Sequence, residues 1–117
     1  TFAISRPPKS IQQIIDDYQI DVHTDIDYFL IHQANKLIVD RVVKKLKLPI
    51  EKVPYDLEEF GNLGGASIPS LMVTRTAEPM RGNKPIKMLC SSFGLGLSWG
   101  TMIITANNVV IPKLIEI

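Results

Sequence analysis

Residues 28–35 read YFLIHQAN, and this stretch decides the fold. Its first four residues form a compact apolar run, which is typical of a central strand buried in a sheet. The run ends at His32, so the strand presents a histidine at its carboxyl end. Asn35 suits the N-cap of a helix, because its side-chain oxygen can accept a backbone N–H from the first turn. We predict that this helix ends near Leu46, since Leu48 and Pro49 stop it.

Two further helices are predicted on either side of that stretch. The first follows Pro7 and Pro8, which mark its start. Its apolar residues repeat at helical spacing and form one stripe: Ile11, Ile14, Ile15 and Tyr18. The other helix begins near Ser67 and carries no charge from Ile68 to Thr74, which predicts burial on all sides.

Strand patterns occur in four more segments, at residues 2–5, 53–56, 87–92 and 99–105. The last two join through a loop at residues 94–98, so they form a hairpin. The resulting β-α-β-α-β-α-β-β order predicts an α/β fold. Its sheet is mixed, mostly parallel, with one antiparallel strand from the hairpin.

Length, charge and cysteine content limit the classes of protein. The 117 residues fit one domain, and the first is Thr1 rather than Met, which suggests a piece of a longer protein. A net charge of +1 is unlike that of a nucleic-acid binder, and no apolar stretch reaches the ~20 residues that span a bilayer. The single Cys90 excludes an internal disulfide. We therefore predict a cytoplasmic protein that binds neither nucleic acid nor membrane.

The hydrophobic content is high for so small a chain. Hydrophobic residues make up 45% of the sequence. Either the sheet is covered on both faces, or one face packs against another domain or subunit.

Three segments supply the polar groups of a candidate site. His32 carries an imidazole N–H, Asn62 carries an amide NH₂ after Gly61, and residues 93–96 form a glycine-rich turn. Two donors and a flexible backbone loop that converge on one oxygen atom form an oxyanion site. No nucleophile accompanies them, and no cluster of Cys or acidic residues has metal-ligand spacing around the histidines.

The motifs HQAN at 32–35, GNLGGAS at 61–67 and FGLGLSWG at 93–100 resemble the C-terminal half of a β-ketoacyl-acyl-carrier-protein synthase III. This family of condensing enzymes belongs to the thiolase superfamily, and the resemblance runs from Phe2 to about Ile104. It implies that residues 1–117 are one thiolase-like half, a five-stranded mixed sheet with helices on both faces. The N-terminal half, which carries the nucleophilic cysteine of the family, is then absent from this chain. The uncharged helix after Ser67 would lie between the two halves.

The resemblance also implies a reaction. Family members join an acyl group held on a cysteine to malonyl-acyl-carrier protein, which loses carbon dioxide, in fatty acid or related biosynthesis. By that resemblance His32 and Asn62 are catalytic donors to the enolate oxygen, and the backbone amide of Leu95 belongs to an oxyanion loop. Asn35 matches a residue that contacts phosphopantetheine. No metal and no cofactor is implied beyond the phosphopantetheine arm of the carrier protein or of coenzyme A.

Partners follow from the same resemblance. Lys44 and Lys45 fall where the family has basic residues that dock the acidic acyl carrier protein, and Lys36 is adjacent to Leu37, where an arginine is common. As helix-surface charges, these lysines have an alternative explanation in solvation alone. The resemblance further implies a homodimer for the full-length enzyme, and we expect the isolated chain to be inactive.

Three alternatives remain open at this point. Leu63, Gly64 and Gly65 depart from the usual family motif, so the chain is alternatively a non-catalytic thiolase-half module that binds a carrier protein or a partner subunit. Residues 96–100 also satisfy the G-x-S-x-G pattern of esterases, but no histidine follows them. Cys90 lies in an apolar run, which favours a buried structural thiol over a nucleophile.

Overall fold

A three-stranded mixed sheet organises the molecule, which is described for residues 2–117, with side chains from Ser5 onward, by a computed structural model. Its strands are β1 (Tyr28–Ile31), β2 (Ile86–Gly94) and β3 (Ser98–Ala106), in the order β1-β2-β3. β1 pairs with β2 in parallel, with Ile31 opposite Ser91, and β2 pairs with β3 as an antiparallel hairpin. The α/β class, the strand at 28–31 and the hairpin are thus confirmed.

Within residues 2–117, five α-helices surround this sheet. They are α1 (Phe2–Asp17), α2 (Lys36–Leu46), α3 (Leu57–Phe60), α4 (Ser67–Thr74) and α5 (Ala77–Arg81). Single 3₁₀ turns occupy Ile50–Lys52 and Gly64–Ala66. The side chain of Asn35 caps α2 by accepting the backbone N–H of Ile38 at 2.9 Å, as the sequence predicts. Among residues 2–117, no helix has the length and apolar character needed to cross a membrane.

Helices cover both faces of β1, which explains its apolar run. Side chains alternate along a strand, so neighbouring residues point to opposite faces. Phe29 and Ile31 pack with residues of α1 and α2, whereas Leu30 packs with residues of α4 and α5. All three side chains are fully buried. A strand that is buried on both faces lacks the alternation of polar and apolar residues that marks a half-buried strand. The continuous apolar run at 28–31 is therefore what such a strand requires.

Two of the five predicted strands are wrong. Residues 2–5 belong to α1, which continues through Pro7 and Pro8. Both prolines are buried, and Pro7 lies about one helical turn before Ile11. They therefore lengthen the apolar stripe of the helix and do not mark its start. Residues 53–56 form an irregular connection between a 3₁₀ turn and α3. The sheet therefore has three strands instead of five.

Two burial predictions are also wrong. Tyr18 follows the last residue of α1 and is exposed, so the apolar stripe ends at Ile15. Within α4, Ser67, Ile68 and Leu71 are buried, but Pro69 is exposed. The three-stranded sheet covers only one side of this uncharged helix. The opposite side of α4, which includes Pro69, is exposed in the described part of the chain.

Candidate active site

His32 lies at the carboxyl end of β1, where the parallel pairing with β2 fixes its backbone. Its N–H donates to the carbonyl of Ser91 at 2.9 Å, and its carbonyl accepts the N–H of Ala34 at 3.0 Å. The imidazole packs edge-on against Phe93, with ring centroids 5.0 Å apart. Among the described residues, its Nδ1 atom is buried with no hydrogen-bond partner. Burial lowers the pKa of His32, which favours a neutral ring.

Asn62 follows Gly61 after the end of α3. Gly61 has φ +67°, a left-handed conformation that suits glycine, and it turns the chain away from the helix. The side-chain carbonyl of Asn62 accepts the N–H of Gly64 at 2.9 Å. This bond fixes the orientation of the amide and leaves its NH₂ group to donate elsewhere.

One open cleft of about 550 Å³ includes both predicted donors. His32 and Asn62 line it together with Gly64 and Gly65. Its other wall is the hairpin, through residues 92–95 and 98–100. Segments that lie thirty residues apart in the sequence therefore meet at one surface, beside the end of β1.

Leu95 occupies the tip of the hairpin within the same cleft. Its side chain is fully exposed, and its carbonyl accepts the hydroxyl of Ser98 at 3.2 Å. Gly96 and Leu97 both have positive φ, at +79° and +51°, which closes the tight turn between the strands. The backbone of Leu95 thus lies where a substrate in the cleft would reach it.

The remaining predicted site residues lie outside that cleft lining. The carbonyl oxygen of Asn35 is used by the helix cap. Lys36 forms an exposed ion pair with Glu58 at 3.5 Å. Lys44 and Lys45 are exposed in the last turn of α2. α2 therefore carries the three lysines on its solvent side.

A buried polar cluster near His32 has no counterpart in the sequence predictions. Gln33 is fully buried, and Asp56 is 2% exposed. The carboxylate of Asp56 accepts the hydroxyls of Ser70 and Thr74. Sequence offered only the unusual position of Gln33 at the end of an apolar run. Phe93, which contacts the His32 ring, lies inside the motif at 93–100, but no role for its side chain was predicted from the sequence.

Two other candidate nucleophiles are placed unfavourably. Cys90 is buried within β2, and burial raises the pKa of its thiol to about 11. Ser98 begins β3, so a strand follows it instead of the helix that a nucleophile elbow requires. Within residues 2–117, no group of three or more His, Cys, Asp or Glu side chains could hold a metal ion.

Comparison with known proteins adds independent information. The family model described as 3-Oxoacyl-[acyl-carrier-protein (ACP)] synthase III C terminal matches residues 19–106. Beta-ketoacyl-[acyl-carrier-protein] synthase III of Streptococcus pneumoniae (strain Hungary19A-6) is 44% identical over 107 residues. That match covers 89% of this chain and 32% of the Streptococcus protein.

Solved structures agree with the sequence match. The 3-oxoacyl-(acyl-carrier protein) synthase of Burkholderia xenovorans LB400 is similar with a TM-score of 0.88 and 30% identity, over 96% of this chain and 32% of that one. The 3-oxoacyl-(acyl carrier protein) synthase III of Pseudomonas aeruginosa PAO1 gives a TM-score of 0.71 and 27% identity, over 97% and 34%. The chain spans about a third of the length of these relatives.

Proposed function

The chain belongs to the 3-oxoacyl-[acyl-carrier-protein] synthase III family and corresponds to its C-terminal part, and on that basis we propose that it supplies the enolate-stabilising donors of a decarboxylative condensation. The substrate is a malonyl thioester on an acyl carrier protein. Loss of carbon dioxide leaves an enolate, which attacks an acyl group held as a thioester elsewhere in the complete protein. The residues of this chain act on the malonyl side of the reaction.

The observation that carries this proposal is the shared cleft of His32 and Asn62. As the malonyl carboxylate leaves, negative charge develops on the thioester oxygen, and two aimed donors lower the barrier. A neutral imidazole can donate one N–H, and the amide of Asn62 keeps its NH₂ free of its own Gly64 contact. Burial against Phe93 keeps the ring neutral by lowering the pKa of His32. A cationic imidazole would instead bind the malonyl carboxylate and hold it in place.

The hairpin tip has a separate role in this proposal. The backbone amide of Leu95 donates to the oxygen of the tetrahedral intermediate that forms when the enolate attacks. Only the backbone is needed, so the exposed leucine side chain is compatible with this role. Leu95 and the two donors face one cleft, which supports action on a single bound substrate.

The carrier protein docks on the outer surface of α2 in this proposal. Lys44 and Lys45 offer exposed positive charge to an acidic carrier. Lys36 contributes after giving up its weak, exposed ion pair with Glu58. Asn35 lies one residue before α2 and donates from its NH₂ group to the phosphopantetheine arm, because its oxygen is used by the helix cap.

A second candidate is a non-catalytic module that binds a carrier protein or partner subunit. It is favoured by one observation: the residues that line the cleft include no thiol, and Cys90 is buried elsewhere. The two candidates differ in whether the complete protein that carries this chain turns over malonyl thioesters.

The test is malonyl-carrier decarboxylation by that complete protein, measured without an acyl primer. His32→Ala and Asn62→Ala should each lower the rate about 10²- to 10³-fold, because each removes one donor to the enolate oxygen. His23→Ala and Asn83→Ala are matched controls, since both side chains are exposed and outside the cleft lining. Full activity in the His32 and Asn62 variants would refute the catalytic proposal, and an inactive wild-type protein would favour the module.

A further inference from the structure

A buried polar bridge connects the end of β1 to the segment that carries Asn62. It begins at Gln33, the residue after His32. The Gln33 side chain donates from Nε2 to the carbonyl of Ile31 at 2.8 Å. Its Oε1 atom accepts the backbone N–H of Asp56 at 3.4 Å. Gln33 is fully buried, so both ends of its amide are satisfied by protein rather than by water.

Asp56 extends the bridge to the half-covered helix α4. Its Oδ2 atom accepts the hydroxyl of Ser70 at 2.5 Å and shares the single hydroxyl proton of Thr74, at 3.0 Å, with the carbonyl of Ser70 at 2.8 Å. Ser70 and Thr74 are four residues apart, so both hydroxyls lie on the same face of the helix. A carboxylate that is 2% exposed costs free energy to bury unless it accepts such hydrogen bonds. Asp56 therefore has one favourable position relative to α4.

The same residue also starts the segment that leads to Asn62. The backbone carbonyl of Asp56 accepts the N–H groups of Glu59 at 3.1 Å and Phe60 at 3.0 Å, which begins the single turn of α3. Asn62 follows two residues after that turn. Asp56 thus contacts His32's neighbour through its N–H, α3 through its carbonyl, and α4 through its side chain.

We infer that Asp56, through Gln33, Ser70 and Thr74, is a positioning residue that fixes the separation of the His32 and Asn62 donors. This inference rests on the proposed function. Two donors act on one oxygen atom only at a defined distance from each other. The hydrogen bond from the Asp56 N–H to Gln33 directly links the segment that follows β1 to the segment that precedes α3.

Asp56→Asn is the main test variant, because it keeps the shape of the side chain and replaces one acceptor oxygen with an NH₂ group. A misplacement of about 1 Å can lower a rate about 10²-fold. In the complete protein, we expect kcat for malonyl-carrier decarboxylation to fall about 10- to 10²-fold with KM nearly unchanged. Thr74→Val keeps Asp56 and removes one donor, so its effect should have the same direction and be smaller. Glu51→Gln is the matched control, an exposed carboxylate changed to an amide.

A spectroscopic readout on the 117-residue chain separates positioning from general loss of stability. The side-chain ¹⁵N signals of His32 and Asn62 should broaden or shift in Asp56→Asn and Thr74→Val, and stay unchanged in Glu51→Gln. The inference is overturned if these signals keep their wild-type values, or if kcat falls only in proportion to the unfolded fraction. If the wild-type protein shows no decarboxylation, the proposed function fails, and the two ¹⁵N signals still decide whether Asp56 positions these side chains.

Discussion

His32 combines three properties: a fixed backbone, an aromatic neighbour and burial. Parallel pairing with β2 fixes the backbone, and Phe93 covers the ring edge-on. Burial lowers the pKa of the imidazole. Because the protein environment disfavours the imidazolium, the ring stays a neutral donor without needing a carboxylate partner.

This lowered pKa predicts a pH-dependent stability. The folded state binds the proton of His32 more weakly than the unfolded state, in which the pKa is about 6.5. The free energy of unfolding is therefore unaffected by this group well above that pKa. It decreases as the pH falls through about 6.5, and it levels off below the folded-state pKa.

Urea unfolding of the chain at about pH 7.5 and about pH 5.5 measures this dependence, on either side of the unfolded-state pKa. His32→Gln should reduce the loss of stability between the two values, because it removes the titrating group. His23→Gln makes the same substitution at an exposed position and is the matched control. An equal loss in His32→Gln and wild type would contradict the proposed burial of a neutral ring.

Cys90 provides a second prediction for a single side chain. Burial raises the pKa of its thiol to about 11, so the reactive thiolate is rare at neutral pH. We expect native protein to react with iodoacetamide far more slowly than protein unfolded in urea. Equally fast alkylation in both states would show that the thiol is accessible, and Cys90 would then again be a candidate nucleophile.

Elements with a local signal were predictable from sequence. The strand at 28–31 was marked by an uninterrupted apolar run, and α2 by its Asn35 cap and by Leu48 and Pro49 after its end. The β2–β3 hairpin was marked by two apolar runs around a glycine-rich turn. In each case the sequence pattern itself is short and continuous, so it indicates the element although the contacts that bury the strand come from distant residues.

Elements that depend on distant contacts were not predictable. Residues 2–5 are too few to distinguish a strand from the first turn of a helix, and the buried prolines concealed the continuation of α1. Residues 53–56 are fixed by contacts of Asp56 with Gln33 and with α4, which lie 14 to 23 positions away. The polar bridge was not predicted either, because its hydrogen bonds join residues that are distant in sequence. His32 and Asn62 are also distant, but they were predicted to share a site because their motifs resemble a known family.

The exposed lysines of α2 give a prediction for a whole helix surface. Reversing Lys44 and Lys45 to glutamate should weaken binding of an acyl carrier protein to the complete protein roughly tenfold at low salt, because two charge pairs of up to ~1 kcal/mol each are lost. Lys84→Glu with Lys113→Glu makes the same change in net charge at exposed positions away from α2. Titration calorimetry at low and high salt compares the two pairs. If the variant with Lys44 and Lys45 reversed binds the carrier protein as tightly as the wild type at low salt, these lysines only interact with solvent.

The molecule as a whole leaves apolar surface exposed on α4 and on the hairpin. It has the thiolase-like α/β fold of its structural neighbours but only three strands, and it spans about a third of their length. α4 is uncharged and half-covered, with Pro69 exposed and Met72 and Val73 partly so. The hairpin also exposes Leu95 and Leu97 beside the cleft. These apolar surfaces are available for contact with another domain or subunit.

We therefore expect the 117-residue chain alone to show no condensation of an acyl primer with a malonyl thioester. In the proposed function a cysteine carries the acyl group, and the thiol of Cys90 is buried and has a raised pKa, so it is unsuited to that role. An assay that follows 3-oxoacyl product with the isolated chain and with the complete protein tests this expectation. Turnover by the isolated chain would require a different nucleophile and a different mechanism.

The central claim is that His32 and Asn62 donate to the same thioester oxygen. The most direct measurement is a crystal structure of the complete protein with a malonyl thioester analogue that cannot lose carbon dioxide. We predict that the imidazole N–H and the amide NH₂ both lie about 2.7–3.1 Å from the analogue's thioester oxygen. An oxygen that contacts only one of them, or that lies outside the cleft between His32 and the hairpin, would contradict the claim.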